Sequence, residues 1–477
     1  MKKDDSLAHA TIEELAALLA KRKISPVELT DLFLRRIERH NPSLNAFLTV
    51  TTEQAYAAAR TAEKQLMRRR KSRSGNSPLL GIPITIKDNI WTRGIRSTAG
   101  SKILSDFVPS EDSTVARKLA QAGAILLGKT NLNEFAYGIT GGNVHYGQVH
   151  NPWDRDRIPG GSSAGSGAAL AAGLCAASIG SDTGGSIRVP SSFCGTFGLK
   201  PTFGRVSVFG SMPLAPSLDH IGPMARSAAD AAILLGVIAG KDPLDATSSQ
   251  RPVDDYLAVL KKPFRKFRLG RPREHYWEKL DPEVRRAADA AVSDMEKRGA
   301  TVREVSLPHV KESLDAATEI SLAEALHVHQ AAGFFPARAA EYGDEVRQRI
   351  EAGEKVSAVR YLAGLDVRKR LRAEFEAAFR EVDAIVAPAL PVPAPVIGAE
   401  SVRIDGKEIG IRPAIVGHCR PANFCGLPAV SVPCGFTRGG LPIGLQLIGR
   451  PFDEATLLRI ALSYEQANDW GTRHPVA

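Results

Sequence analysis

Apolar and polar positions alternate with two different periods along this chain, and the switches between them mark its elements. Residues 11–21 carry apolar side chains at helical spacing. Thr11 stands where a cap belongs and Glu14 follows three residues on, so a capping box is predicted. Ser25-Pro26-Val27-Glu28 opens a second helix to about residue 40, with proline in the first helical position. Residues 55–70 read as a third, Ala-rich helix. These helices precede any strong strand. The period then changes at Gly81-Ile82-Pro83-Ile84-Thr85-Ile86-Lys87-Asp88-Asn89, which alternates like a strand and ends at Lys87. Asp112 or Ser113 caps a helix to about residue 122, and Ala124-Ile125-Leu126-Leu127 is a buried strand ending at Gly128-Lys129. Strand, helix and strand in that order predict a βαβ unit.

Further on, residues 168–177 read as a helix of small side chains with Gly173 as its stop, followed by a buried strand to Ile179. A helix apolar on one face is expected over 227–239. A strand is expected over 267–270, a helix over 281–299 and a strand over 302–307. Helices over 313–331 and 358–381 lead to a buried strand at Ala384-Ile385-Val386-Ala387 and a short Pro-rich run over 388–395. Asp405-Gly406 makes a hairpin turn. Strands at 430–432 and 444–448 and a last helix from Asp453 complete the chain. No fixed-period repeat and no long linker interrupts it. One large α/β domain over 1–477 is expected: a helical portion (1–75), a core (81–230) and a remainder (231–477).

Composition narrows the function classes. The chain is 477 residues long, 43% hydrophobic and 24% charged, ordinary for a soluble globular protein. Its net charge of +10 raises the question of nucleic acid, but aromatics are 6% and no basic stripe is interleaved with them. The basic runs at 67–73 and 261–266 read as solvated surface. Five cysteines without C-x-x-C spacing read as free cytosolic thiols. His327 and His329, two apart on a helix, do not share a face, so zinc is not expected. Lys2 and Lys3 are followed by Asp4, Asp5, Glu13 and Glu14 rather than by the apolar core of a signal peptide. No stretch reaches the roughly 20 apolar residues that span a bilayer. A cytoplasmic protein is expected.

The densest chemistry lies between Pro159 and Pro190, where two Gly-Ser clusters flank the small-residue helix and strand. Gly161-Ser162-Ser163-Ala164-Gly165 fits the G-x-S-x-G nucleophile elbow, but that motif needs an apolar strand before it, and Asn151-Pro152-Trp153-Asp154-Arg155-Asp156-Arg157 is loop. The eleven histidines show no pairing with either cluster. Serine activated by a buried, neutral lysine is the other known route. Lys87, at the end of an apolar strand, stands where α/β folds place chemistry; Lys129 and Lys200 remain rivals on spacing alone.

Gly160-Gly161-Ser162-Ser163-Ala164-Gly165-Ser166 and Gly180-Ser181-Asp182-Thr183-Gly184-Gly185-Ser186-Ile187-Arg188-Val189-Pro190 resemble the signature of the amidase signature family. Matches at Gly81-Ile82-Pro83, Lys87-Asp88, Gly128-Lys129-Thr130-Asn131, Asn151-Pro152-Trp153, Gly198-Leu199-Lys200-Pro201-Thr202 and Gly426-Leu427-Pro428-Ala429 extend the resemblance over nearly the whole length. Ala164 departs from it, standing where the family usually has Gly or Ser. The resemblance implies one large mixed, twisted β-sheet sandwiched between helices. It also implies a Ser-Ser-Lys triad: Lys87 as base, Ser162 as bridge, after a cis peptide bond, and Ser186 as nucleophile. Backbone N–H groups from Thr183, Gly184 and Gly185 to Ser186 would bind the oxyanion, and Asp182 and Arg188 would hold the loop. The implied reaction is hydrolysis of a carboxamide C–N bond through a seryl acyl-enzyme, with no cofactor and no metal. The substrate pocket is expected from loops near 135–143 and from the segment 313–416.

Two branches are open. Tyr137-Gly138-Ile139-Thr140-Gly141-Gly142-Asn143-Val144-His145-Tyr146-Gly147 and Met212-Pro213-Leu214 look closer to stand-alone amidases. A glutamine-using enzyme must hold a free α-amino group with a carboxylate. In the amidotransferase branch that acid lies just before the stretch here written Pro421-Ala422-Asn423, and residues 411–420 contain no Asp or Glu. A stand-alone amidase acting on a small-molecule amide, and compatible with a homodimer, is therefore expected. The alternative is the catalytic A subunit of a glutamyl-tRNA(Gln)/aspartyl-tRNA(Asn) amidotransferase, which would need its partner subunit.

Overall fold

Both expected capping boxes form in the computed structural model, which describes residues 6–68, 77–262 and 266–475. Thr11 and Glu14 close the start of the Ile12–Ala20 helix, and Ser25 and Glu28 that of Pro26–Leu44. The latter runs past the expected end through Pro42 and stops where Asn45 turns left-handed (φ 52°). The third helix is Thr52–Arg68; the rest of its expected span, most of the basic run at 67–73, part of the run at 261–266, and Lys2 to Asp5 lie outside the described residues. Of those runs, Arg68, Lys261 and Lys262 are exposed.

Thirteen strands are described: β1 (Phe47–Val50), β2 (Pro83–Lys87), β3 (Ile125–Thr130), β4 (Ala177–Ser181), β5 (Phe197–Lys200), β6 (Ile221–Ala225), β7 (Arg268–Pro272), β8 (Thr301–Val305), β9 (Ala384–Pro388), β10 (Ser401–Ile404), β11 (Lys407–Gly410), β12 (Ala429–Phe436) and β13 (Pro442–Gly449). Eleven form one sheet in the order β1-β3-β2-β4-β6-β5-β12-β13-β9-β7-β8, and β10 pairs with β11 in the expected Asp405-Gly406 hairpin. The sheet is mixed. β2 is parallel to both β3 and β4, which realises the βαβ unit, whereas β4, β6, β5, β12, β13 and β9 run successively antiparallel. Helices flank it. β2, β4, β5, β6, β9 and β13 are buried at every position, as strands covered on both faces must be.

Three differences have physical causes. β1, preceded only by helices, escapes the sequence pattern because it is a four-residue edge strand whose last residue is exposed. The Ala228–Ile238 helix is buried nearly all round rather than on one face, and it carries Asp230, whose carboxylate accepts the Ile12 N–H (2.9 Å) and so ties the first helix to the core. The small-residue helix is Ala164–Ala171, starting earlier than read, with Gly173 just beyond it at φ +66°.

Candidate active site

Lys87 is the last residue of β2, and its side chain is fully buried. Its Nζ donates to Ser162 Oγ and to Ser181 Oγ, both at 2.8 Å. Burial lowers its pKa to about 7 against the opposing pull of Asp182 and Asp219, so the amine is neutral for much of the population near neutral pH. The two rival lysines are equally buried but face other ways. Lys129 donates to Ile90 O and Ser97 Oγ and lies 3.7 Å from Asp88. Lys200 donates to Pro201 O. Of the three, only Lys87 touches a serine of the signature.

Ser162 follows a cis Gly161-Ser162 peptide bond, as the resemblance implies. Ser163, the central serine of the elbow-like pentapeptide, is buried: its Oγ donates to Ser181 O (3.1 Å), and its N–H donates to Ser186 O (3.2 Å). That backbone bond sets the two Gly-Ser clusters side by side. The Ala164–Ala171 helix behind them can approach only because Gly165 lacks a side chain: a Cβ there would lie 2.2 Å from Ala46 O and 2.6 Å from Asn131 N. Ala164 sits in this helix fully buried.

The loop from Asp182 to Arg188 is clamped from within. Arg188 Nε and Nη2 reach both Asp182 oxygens at 3.1 Å, and Nη1 reaches Cys419 O and Gln446 Oε1. Asn423 donates to Asp182 Oδ1 (2.9 Å). Burial alone would raise the Asp182 carboxyl; the Arg188 guanidinium outweighs it and holds the group below the usual carboxylate range. Asp182 and Arg188 therefore hold the loop. The same carboxylate takes the N–H of Gly185 (2.7 Å) and of Ile187 (3.1 Å). Of the expected oxyanion donors, the Gly185 N–H is thus engaged by Asp182. Those of Thr183, Gly184 and Ser186 make no hydrogen bond among the described residues.

Ser186 opens into a narrow cavity of about 30 Å³. Its walls come from residues 136–139 and from 317, 321, 412 and 416, within the two segments expected to form a pocket, together with Thr183, Gly184, Leu214, Leu218 and Arg420. A roomier cavity of about 1090 Å³ near the N-terminal helix contains none of Lys87, Ser162 and Ser186, so size does not locate the chemistry. Sequence reasoning missed Ser181 and Asn89: Ser181 Oγ takes hydrogen bonds from Lys87 and from Asn89 Nδ2 (3.2 Å) and so helps orient the amine. The signal was the parallel pairing of β2 with β4, which one sequence does not display. Arg412 and Arg420 were also missed, because charged side chains between apolar residues read as surface until the fold turns them inward.

His220 meets the signature loop through Asp182, whose carbonyl oxygen lies 3.2 Å from its Nδ1. His329 is buried and bonded to Tyr342 Oη (2.8 Å), while His327 is exposed. The five cysteines are free and buried. Among the described residues no helix is long and apolar enough to cross a membrane.

Comparison with known proteins adds to this geometry. Residues 28–458 match the family described as Amidase. The A subunit of the glutamyl-tRNA(Gln) amidotransferase of Roseiflexus sp. (strain RS-1) is 44% identical over 98% of each chain. The corresponding A subunit from Thermotoga maritima superposes with a TM-score of 0.80 at 36% identity, covering 98% of this chain and 97% of its own. The inhibitor-bound structure described as "An unexpected vestigial protein complex reveals the evolutionary origins of an s-triazine catabolic enzyme" gives 0.90 at 34% identity, covering 98% and 100%. These two A subunits are named for the function that the sequence alone places second, and so weigh toward it over the stand-alone branch.

Proposed function

The chain belongs to the amidase family, enzymes that cleave amide C–N bonds, and from that premise we propose that it does so through an acyl-enzyme on Ser186. The observation that carries this reading is the 2.8 Å contact of a buried lysine, its pKa lowered to about 7, with Ser162. Ser186 Oγ attacks the amide carbonyl while its proton passes to Ser162, whose own proton passes to neutral Lys87. The N–H groups of Thr183, Gly184 and Ser186 stabilise the oxyanion, free of competing partners. The proton returns through Ser162 to the leaving nitrogen, the C–N bond breaks, and ammonia or an amine departs. Water then attacks the ester carbonyl by the same relay and regenerates Ser186. Ser186→Ala should lower turnover by about 10³-fold or more and leave a serine-directed phosphonate without its target. Wild-type turnover by that variant would sink the assignment.

Of the finer readings we place first the catalytic A subunit of a glutamyl-tRNA(Gln) amidotransferase, which the 44% full-length identity supports. Its partners would be the other subunits and charged tRNA. A stand-alone amidase is favoured by one observation: the cavity of Ser186 has no Asp or Glu in its walls to take the ammonium of glutamine. Ammonia release from glutamine, measured with the chain alone and again with amidotransferase partner subunits and glutamyl-tRNA(Gln), separates the two. Strong stimulation is expected; brisk hydrolysis of simple carboxamides alone, without stimulation, promotes the stand-alone enzyme.

A further inference from the structure

The walls of the Ser186 cavity carry an imbalance of charge. Arg412 and Arg420 both line it, and no carboxylate does. Arg420 lies over the nucleophile loop: a Cβ built on Gly184 would be 3.5 Å from its Nε. Its Nη1 donates to Thr318 Oγ1, a neutral partner. Arg412 stands over Tyr137, 5.5 Å from the ring centre. Its Nη1 is sealed from solvent and has no hydrogen-bond partner. The nearby Arg349 has its own anion, Glu345, and donates as well to Tyr137 O. Burial, then Arg349 and Arg420, lower the Arg412 pKa to about 9; burial likewise lowers Arg420 to about 10. A cationic donor buried without a partner is costly, and a bidentate carboxylate is the group that guanidinium geometry matches.

The two carboxylates at the loop are already engaged, Asp182 by Arg188, Gly185 and Ile187. The Asp219 oxygens accept from Thr183 Oγ1 and from the N–H groups of Leu214 (2.9 Å) and Ala215 (3.1 Å). Leu214, Leu218 and Val416 make the remaining wall apolar, suited to methylene groups.

We infer that Arg412 and Arg420 form an anion subsite, and that the amide cleaved here carries a carboxylate at the far end of a short aliphatic acyl group. This rests on Ser186 as nucleophile. It holds for either finer function, since glutamine and the monoamide of a dicarboxylic acid share that carboxylate.

Three amides of equal acyl length test it: pentanamide, which is neutral; glutaramate, which adds the carboxylate; and glutamine, which adds an ammonium besides. Released ammonia gives kcat/KM for each, with the same partner subunits present or absent throughout. Glutaramate or glutamine should exceed pentanamide by about 10- to 100-fold, the strength of a charge-assisted pair. In Arg412→Gln and Arg420→Gln that ratio should collapse toward one, with glutarate losing its power to inhibit. Arg412→Lys, which keeps the charge but not the fork, should retain part of it. Equal kcat/KM for pentanamide and both carboxylate-bearing amides in the wild type overturns the subsite without needing any variant. Ser186→Ala in the same assay keeps the two readings apart: if it is inactive while the ratio is one, the nucleophile stands and the subsite falls. Glutaramate well above glutamine supports the subsite in a stand-alone enzyme, and glutamine at or above glutaramate supports it in an amidotransferase.

Discussion

Lys87 works only as a neutral amine, so the environment of one side chain sets a pH profile. An ordinary lysine titrates near 10.4; burial brings Lys87 to about 7. Its protonated form lacks the lone pair that must receive the Ser162 proton. We therefore expect kcat/KM to rise about tenfold per pH unit below 7 and to level off above it. Lys87→Ala should cost about 10²- to 10⁴-fold near neutrality and less at high pH, where hydroxide partly replaces the base. A flat profile from pH 5 to 9 would remove lysine from the mechanism. Arg188 gives a prediction of the other kind. It and Asp182 are both fully buried, so Arg188→Ala leaves a carboxylate without its counter-charge at a cost of about 3–5 kcal/mol. A thermal midpoint lowered by several degrees should accompany lost activity, and an unchanged midpoint would mean that the clamp is not structural. The triad itself was named in the sequence only through the resemblance. Residue spacing left Lys87 only a modest lead over Lys129 and Lys200, because each stands at or next to the end of a buried strand and the direction of the side chain is what separates them.

Elements announced themselves where local chemistry marks their ends. Thr11, Ser25, Ser113, Asp281 and Asp453 all serve as side-chain caps. Elements defined by tertiary contact stayed hidden. β5 and β6 contain Gly198, Gly222 and Pro223, residues that argue against strands from sequence. Their place is set by close packing: a Cβ on Gly222 would lie 2.2 Å from Leu199 O. The Asp344–Gly353 helix was missed as well, although Val346, Ile350 and Gly353 lie on one buried face. The same packing argument gives a test at the Ala164–Ala171 helix. Gly165→Ala improves helix propensity yet drives a methyl into Ala46 O, so it should destabilise by about 1–3 kcal/mol and displace Ser162. Reduced kcat with a lowered midpoint is expected; a more stable, fully active variant would show that the helix moves aside freely.

At the scale of the molecule, strand order overrides chain order. The sheet draws on all three sequence portions, and β12 lies between β5 and β13, joining the core of 81–230 to the strands that come after it. We propose that residues 1–477 unfold as one unit, and expect a single calorimetric transition; two resolved transitions would divide the chain into separate domains. The arrangement also dictates a schedule for synthesis. While the ribosome is still making residues 231–428, strand β5 has emerged but its neighbour β12 does not yet exist. An apolar sheet edge thus stays open for nearly two hundred residues of translation, and such edges recruit other chains. A nascent chain of this kind calls for chaperone cover until residue 449 clears the exit tunnel. Stopping synthesis at residue 428 should yield an insoluble product even though Lys87, Ser162 and Ser186 are all present in it.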